Sequence, residues 1–382
     1  MKSIFSTLHN DGTSKARTGI LSLGHGQVLT PAFMPVGTLG TVKGIYHDDV
    51  KRIGYNLILG NTFHLYLRPG LEVLEHFGGL HNFSHWDGNI LTDSGGFQIF
   101  SLSGLRKITP EGVHFQSPID GSRHFFSPEK VVDIQKVIGS DIAMVLDWCT
   151  PPQISYSEAL KAWKMTLDWA RRSINRRDEL GGEFHGQLFG IVQGNFYKDL
   201  RRESARTISD MDFPGVAIGG LSVGEKPEVF EEFLAFTADE ITREKPRYVM
   251  GIGSPDYLLQ AIENGIDIFD CVLATRMARN GTVFTDDGPL VLKRSFNALD
   301  TGPLNPGCTC RACTEYSRGY LRHLFKCNEM LGGMLATEHN LTYLHNLMLR
   351  AREAIAQDRF VPFKKAYLER YMAAKPKQED DR

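Results

Sequence analysis

The stretch Asn264-Gly265-Ile266-Asp267-Ile268-Phe269-Asp270-Cys271-Val272 carries the unit from which the fold is read. Gly265 is suited to end a helix in the left-handed conformation. The apolar run after it has the length of a buried strand, and Asp270 closes that run. Next comes Ala274-Thr275-Arg276-Met277-Ala278-Arg279-Asn280-Gly281, so the strand is expected to deliver a carboxylate to a basic loop. A carboxylate in that place can be a nucleophile, a general base, a metal ligand or a helix cap, and the stretch alone leaves these open.

The same junction recurs at Ile53-Gly54-Tyr55-Asn56-Leu57 and Ile138-Gly139-Ser140-Asp141-Ile142. From Pro31 onward, apolar runs of strand length alternate with amphipathic helical patterns: Ala32 to Val36, Leu57 to Leu59, Ile90 to Leu91, Ile142 to Leu146, Leu188 to Val192, Val216 to Ile218, Tyr248 to Met250, and Ile266 to Phe269. Helix starts are marked by Ser127-Pro128-Glu129, Ser155-Tyr156-Ser157-Glu158 and Ser254-Pro255-Asp256. Eight β-then-α units close a (β/α)8 TIM barrel, an α/β fold. We expect antiparallel strands packing on the barrel at 1–30, the barrel itself at 31–372, and two insertions. One is a hairpin insert at 94–126, where Gly112 to Gln116 and Arg123 to Phe126 flank Asp120-Gly121. The other is a cysteine-bearing subdomain at about 282–345, opened by a hairpin around Asp286-Asp287-Gly288. The charged segment 373–382 lacks apolar anchors and is expected to be disordered.

A chain of 382 residues can bury a large core. No apolar run approaches the roughly 18 residues of a membrane helix, and Met1-Lys2-Ser3-Ile4-Phe5-Ser6 is not a secretory core, so a cytoplasmic location is expected. The net charge of -2 excludes polyanion binding by bulk attraction. Nucleic-acid contact then needs a local patch, for which Arg171-Arg172, Arg176-Arg177, Arg201-Arg202 and the pair Arg276 and Arg279 are candidates, most of them also readable as solvated helix faces. Of the six cysteines, Cys308, Cys310 and Cys313 crowd into one loop, which in a cytosolic chain argues for metal binding and against a disulfide.

In a barrel of this kind the active site lies at the C-terminal ends of the strands. The residues expected there are Asn61 and His64, Asp93 to Gln98, Asp147-Trp148-Cys149, Gln193-Gly194, Gly219-Gly220-Leu221, Gly251, and Asp270. With His64 as the one histidine in the set, a catalytic metal is disfavoured. Paired carboxylates without a metal suit displacement at a sugar carbon, and Asp270 and Asp93 form the natural pair. Guanine offers two donors to a carboxylate and an acceptor to an amide or backbone N–H, a complement that Asp147, Gln193 and the N–H of Gly220 supply. Phe97 and Met250 could enclose the ring, although plain core packing is the simpler reading of each.

Taken in order, Leu91-Thr92-Asp93-Ser94-Gly95-Gly96-Phe97-Gln98, Gly190-Ile191-Val192-Gln193-Gly194, Gly219 to Glu225, Met250-Gly251-Ile252-Gly253, Phe269-Asp270-Cys271-Val272, Thr275-Arg276 with Ala278 to Gly281, and the cysteine loop with Thr337-Glu338-His339-Asn340 span nearly the whole chain. Together they resemble the bacterial-type tRNA-guanine transglycosylases, which exchange guanine at the anticodon wobble position for a 7-deazaguanine during queuosine formation. The resemblance implies that Asp270 attacks the ribose C1′, that Asp93 is the general acid/base, and that Asp147, Gln193, Gly220 and Leu221, with Ser94, Phe97 and Met250, hold the base. It implies RNA contacts by Arg276 and Arg279, and one structural Zn2+ per subunit on Cys308, Cys310, Cys313 and His339. The implied partners are tRNAs of the Asp, Asn, His and Tyr type with GUN anticodons and a second copy of the chain, whose contact surface would include Tyr316 and Tyr320 on a helix from Tyr316 to Leu324.

This chain departs from the family pattern at Trp148, Ala274 and Met277. Val223 and Cys149 favour the aminomethyl precursor preQ1 as incoming base, while Trp148 keeps whole queuine open. A non-catalytic tRNA-binding partner subunit and a glycoside hydrolase are the rival readings. Retention of Asp93, Asp147 and Asp270 speaks against the first, and Gln193 with the cysteine loop against the second.

Overall fold

The protein is described by a computed structural model covering residues 3–102 and 106–373. Eight parallel strands form the central sheet: β1 (Ala32–Met34), β2 (Leu57–Asn61), β3 (Asn89–Asp93), β4 (Ile142–Met144), β5 (Gln187–Val192), β6 (Gly215–Ile218), β7 (Arg247–Val249) and β8 (Ile268–Asp270). Each overlaps one of the eight apolar runs, most of them extending a residue or two past its bounds. The pairing order is β1-β8-β7-β6-β5-β4-β3-β2. The two ends meet just beyond β1, where the N–H of Leu59 donates to the Pro35 carbonyl at 2.9 Å and the N–H of Gly37 to the Leu59 carbonyl at 2.7 Å. These bonds close the sheet into a barrel with helices outside it. Parallel strands covered on both faces need unbroken apolar runs, and every residue of β4 and β6 is buried.

The junction glycines behave as their sequence context requires. Gly54, Gly139 and Gly265 have φ of 114°, 77° and 78°, in the left-handed region where a Cβ would be strained. Ser127 caps the helix Pro128–Ile138 by accepting from the N–H of Lys130, and Ser155 forms a full capping box with Glu158. Ser254 is the exception: it precedes the helix Pro255–Glu263 without a side-chain capping bond, leaving Pro255 at the first turn as its start signal.

Carboxylates at the strand starts fasten the N-terminal strands to the barrel. Asp267, one residue before β8, accepts from Arg17 Nε at 3.0 Å, Arg17 Nη2 at 2.6 Å and the N–H of Arg247 at 2.7 Å. Arg17 opens the second of three antiparallel strands, Phe5–Asn10, Arg17–Leu23 and Gly26–Thr30. Asp141, before β4, is bonded by His25 at 2.7 Å, His81 at 3.1 Å and the N–H of Ile90 at 2.8 Å. Removing one partner from a buried pair such as Arg17–Asp267 strands a charge, at a cost of about 3–5 kcal/mol. Acids at this end of the barrel are therefore structural, whereas those at the opposite end face the mouth.

The insertion after β3 is larger than the expected hairpin. It begins with a helix, Gly96–Ser101, and a third strand, Arg106–Thr109, pairs with Gly112–Gln116 beside Arg123–Phe126. After β8 the expected basic loop is instead a helix, Leu273–Arg279. A short hairpin, Thr282–Val283 with Leu290–Val291, follows it. The helix expected from Tyr316 to Leu324 is Arg318–Lys326, starting two residues later because Ser317 caps it by accepting from the N–H of Tyr320, and a separate short helix, Arg311–Glu315, precedes it. This region has its own apolar cluster, including Leu292, Leu304, Leu321 and Leu335. The 27-residue helix Met330–Ala356 joins both cores, contributing Leu335 to the small one and Leu341, Leu344 and Leu347 to the barrel. Ala373, assigned above to a disordered tail, ends the last helix, Phe360–Ala373, and 374–382 lie outside the described residues. No described helix is long and apolar enough to cross a membrane.

Candidate active site

Parallel register places Asn61 of β2 beside Asp93 of β3. Neighbours in register project to the same face of the sheet, and Asn61 Nδ2 donates to Asp93 Oδ2 at 2.5 Å. The other amide atom is already committed: Asn61 Oδ1 caps the helix Thr62–Leu67 by accepting from the N–H of His64 at 3.0 Å. Asp93 Oδ1 accepts from the N–H of Thr62 at 3.0 Å and of Gly95 at 3.1 Å. Burial nevertheless dominates and pushes the Asp93 carboxyl up to about 7, with the like charge of Asp270 adding to the rise and the backbone donors opposing it.

Asp270 ends β8, as its sequence position implied. Tyr248 of β7 is paired with Ile268, two residues before Asp270 and so on the same face. Its hydroxyl donates to Asp270 Oδ1 at 2.5 Å, and the N–H of Gly251 donates to the same oxygen at 2.8 Å. Burial raises the Asp270 carboxyl while these two donors hold it down. Tyr248 is fully buried and its own ionisation is driven well upward by burial, so it remains a donor. Sequence reasoning missed Tyr248 as a functional residue, since nothing local links a phenol to an acid 22 positions away.

The other side of the mouth is built for a flat polar ligand. Gln193 Nε2 donates to Asp147 Oδ2 at 2.7 Å, and Ser94 Oγ lies 3.4 Å from Asp147 Oδ1. Burial pushes Asp147 up to about 6 against the pull of these bonds. The neighbouring thiol of Cys149 is pushed up to about 12 by burial and stays neutral. Gly220 has φ of 67°, and a Cβ there would stand 2.5 Å from Gln193 Oε1. Its loop is held from below by Arg201, fully buried, which donates to the carbonyls of Asn195, Gly219 and Gly220 at 2.8, 3.0 and 3.1 Å. From outside, Glu225 accepts from the N–H groups of Ser222 at 2.5 Å and Val223 at 2.8 Å. Leu221 is buried, Met250 is half-buried and Phe97 is 58% exposed. Trp148 stacks on Phe100, with ring centroids 6.5 Å apart.

The candidate arginines separate, apart from Arg171, which like Arg276 and Arg279 is exposed and makes no ion pair among the described residues. Arg172 is tied to Glu129, Arg176 to Asp133, Arg177 to Asp212 and Arg202 to Glu240, while Arg201 is interior, so these are structural cations. Arg276 and Arg279 are exposed and make no ion pair among the described residues.

Cys308, Cys310, Cys313 and His339 converge, with His339 Nδ1 at 3.6, 3.4 and 3.3 Å from the three sulfurs. A tetrahedral ion with M–S of about 2.3 Å and M–N of about 2.0 Å requires S···N edges of about 3.5 Å. His339 Nε2 lies 2.8 Å from the Phe284 carbonyl. That bond keeps the proton on Nε2 and frees Nδ1 as a ligand, the usual orienting contact of a metal-bound histidine. Four protein ligands could thus hold a metal ion with no open position.

The model of the family described as queuine tRNA-ribosyltransferase matches residues 11–373. Relatives bearing that same name include a protein of Borrelia hermsii (strain HS1 / DAH), 52% identical over 368 residues, which are 96% of this chain and 98% of the relative. A protein of Treponema denticola is 52% identical over 370 residues, with 97% and 98% covered. One from Desulforudis audaxviator (strain MP104C) is 53% identical over 365 residues, with 96% and 97% covered. A match that runs the length of the barrel and through the cysteine-histidine cluster shows that this chain belongs to the queuine tRNA-ribosyltransferase family.

Proposed function

We propose that the protein is a tRNA-guanine transglycosylase that replaces guanine at the wobble position of GUN anticodons with a 7-deazaguanine, preQ1, by double displacement. The observation that carries this reading is the contrast between two acids at one mouth. Both carboxyls are raised by burial and both accept donors. Asp93 is pushed further, with the charge of Asp270 adding to its rise, to about 7, where it can hold or release a proton near neutrality, while Tyr248 and Gly251 hold Asp270 down toward its anion. The Asp270 carboxylate attacks C1′ of the ribose. The C1′–N9 bond breaks, its electron pair leaves with guanine, and Asp93 supplies the proton that neutralises the departing base. The incoming base then gives a proton to Asp93 and attacks C1′, and the ester to Asp270 breaks. Asp147 and Gln193, already a hydrogen-bonded pair, suit the donor and acceptor edge of a guanine-like ring, with Gly220 and Leu221 at its rim. A wobble base sits in a loop and can be splayed out to reach such a pocket.

The donor set of three thiolates and one imidazole, with edges close to those of a tetrahedron, supports structural Zn2+. Bound there, zinc supplies cross-linking of the C-terminal subdomain and no reactive position. We place self-association at the exposed Tyr320 and its stacking neighbour Tyr316, and equilibrium sedimentation is expected to give a dimer mass. The activity is tested by incubating the enzyme with tRNA of GUN anticodon and labelled guanine. Incorporation is expected, lost in Asp270→Ala, and competed more strongly by preQ1 than by queuine. No incorporation into any such tRNA overturns the assignment.

A further inference from the structure

Three cations gather at the end of the helix that follows Asp270, and none has a carboxylate partner among the described residues. Arg276 and Arg279 are three residues apart on one short helix and so share a face. Partial burial, and then the charge of Arg276, pull the Arg279 guanidinium below its ordinary value. The third cation comes from elsewhere in the chain. Lys293 follows the Leu290–Val291 strand, and the N–H of Leu292 donates to the Gly281 carbonyl at 2.8 Å, which pins the segment beside the end of the helix. The Lys293 stem lies over Gly281, its Cε 3.4 Å from where a Cβ would stand. Gly281 is two residues after Arg279, and its φ is 86°. The Arg279 side chain in turn rests on Gly333, whose Cβ position is 3.7 Å from Arg279 Cγ. Lys293 is exposed and has no ion pair among the described residues.

Elsewhere on this chain some cations are matched with acids, as Arg172, Arg176, Arg202 and Lys364 are, and others, such as Arg171 and Lys161, make no ion pair among the described residues; Arg276, Arg279 and Lys293 differ in lying next to one another. A cluster of like charges left unpaired on a chain of net charge -2 is unfavourable in the free protein and is relieved by a polyanion. Glycines at 281 and 333 let the stems of Lys293 and Arg279 lie close over the backbone, which holds both side chains near the end of this helix. We propose that Lys293 is an additional RNA-phosphate contact, extending the Arg276–Arg279 face away from Asp270 and receiving a phosphate of the anticodon arm. The proposal rests on the tRNA reading above.

The test is direct binding of an unmodified GUN tRNA to the full-length protein at a series of salt concentrations, for wild type, Lys293→Gln, Lys293→Arg and Lys161→Gln. Each phosphate contact contributes roughly 0.7–0.9 to the slope of log K against log salt. Lys293→Gln is expected to lower that slope by about one contact and to weaken binding several-fold at low salt. Lys293→Arg should retain both, and Lys161→Gln, an exposed lysine on the helix Tyr156–Leu180, should match wild type. Equal slopes and affinities for wild type and Lys293→Gln overturn the proposal while leaving the tRNA reading in place. An equal loss in Lys161→Gln also overturns it, since the effect would then be one of bulk charge. Failure of wild type itself to bind tRNA overturns both.

Discussion

The hydroxyl of Tyr248 lies 2.5 Å from Oδ1 of Asp270 and reaches it from the neighbouring strand, one pleat below. A hydrogen bond to a charged acceptor is worth about 1.5–3 kcal/mol. Tyr248→Phe keeps the ring in its buried position and removes only that donor. The guanine-exchange rate is expected to fall roughly 10- to 100-fold. Because the lost donor favoured the anion, the acid limb of the pH–rate profile should also move to higher pH. A change in rate with an unmoved acid limb would mean that Tyr248 acts by packing alone.

Asp93, raised to about 7, should appear as a titrating group near neutrality in kcat/KM against pH. In Asp93→Asn that limb should vanish and exchange should drop by roughly 10²-fold or more. Retention of the same limb in the variant would assign it to another group.

Asp147 gives a stability prediction whose sign follows from its environment. Its folded-state value, about 6, is above the ordinary 3.8, so folding favours its protonated form. That contribution is complete below pH 4 and is lost as pH rises to 6. Asp147→Asn, which keeps the shape and can still accept from Gln193, escapes the loss. Its Tm advantage over wild type should therefore grow between pH 4 and pH 6 and level off above, at roughly 3 kcal/mol for the two units of difference. A pH-independent difference in thermal denaturation would contradict this, and guanine affinity should fall in the same variant.

The Gly220 loop is predicted to resist even a methyl group. Gly220→Ala puts a Cβ against Gln193 Oε1 at a φ of 67°, so either the amide or the loop must move. Base affinity measured by competition should weaken at least 10-fold, a loss of about 1.4 kcal/mol. Unchanged affinity would mean that the loop does not border the base.

Metal removal is expected to act on folding before chemistry. A thiol-competent chelator, or Cys310→Ala, should lower Tm and make the segment 282–345 sensitive to protease, since the small apolar cluster there is modest beside the barrel core. An unchanged melting curve after verified loss of metal would remove the structural role.

The barrel was legible because buried parallel strands require continuous apolar runs and because Gly54, Gly139 and Gly265 mark where helices give way to them. The acids at the strand ends were legible for the same reason: once strands are placed, their termini share a mouth. Residues whose role depends on a distant partner were not. Arg201 reads as half of a solvated pair, because charge is nearly always outside, yet it is the interior clamp on the Gly219–Gly220 carbonyls. The strand Arg106–Thr109 has one apolar residue and carries no alternation to betray it. The helix Leu273–Arg279 starts after Val272, with no side-chain cap to announce it, so its sequence reads as a loop.

His339 is followed immediately by Asn340, whose Nδ2 donates to the carbonyl of Ala274 at 2.9 Å and whose Oδ1 accepts from the N–H of Phe284 at the same distance. Ala274 is four residues from Asp270. A candidate metal ligand and a clasp on the flank of the proposed nucleophile are thus consecutive side chains on one helix. If the cluster holds zinc and Asp270 the ribose, as proposed, the supply of metal in the cell becomes a condition on catalysis.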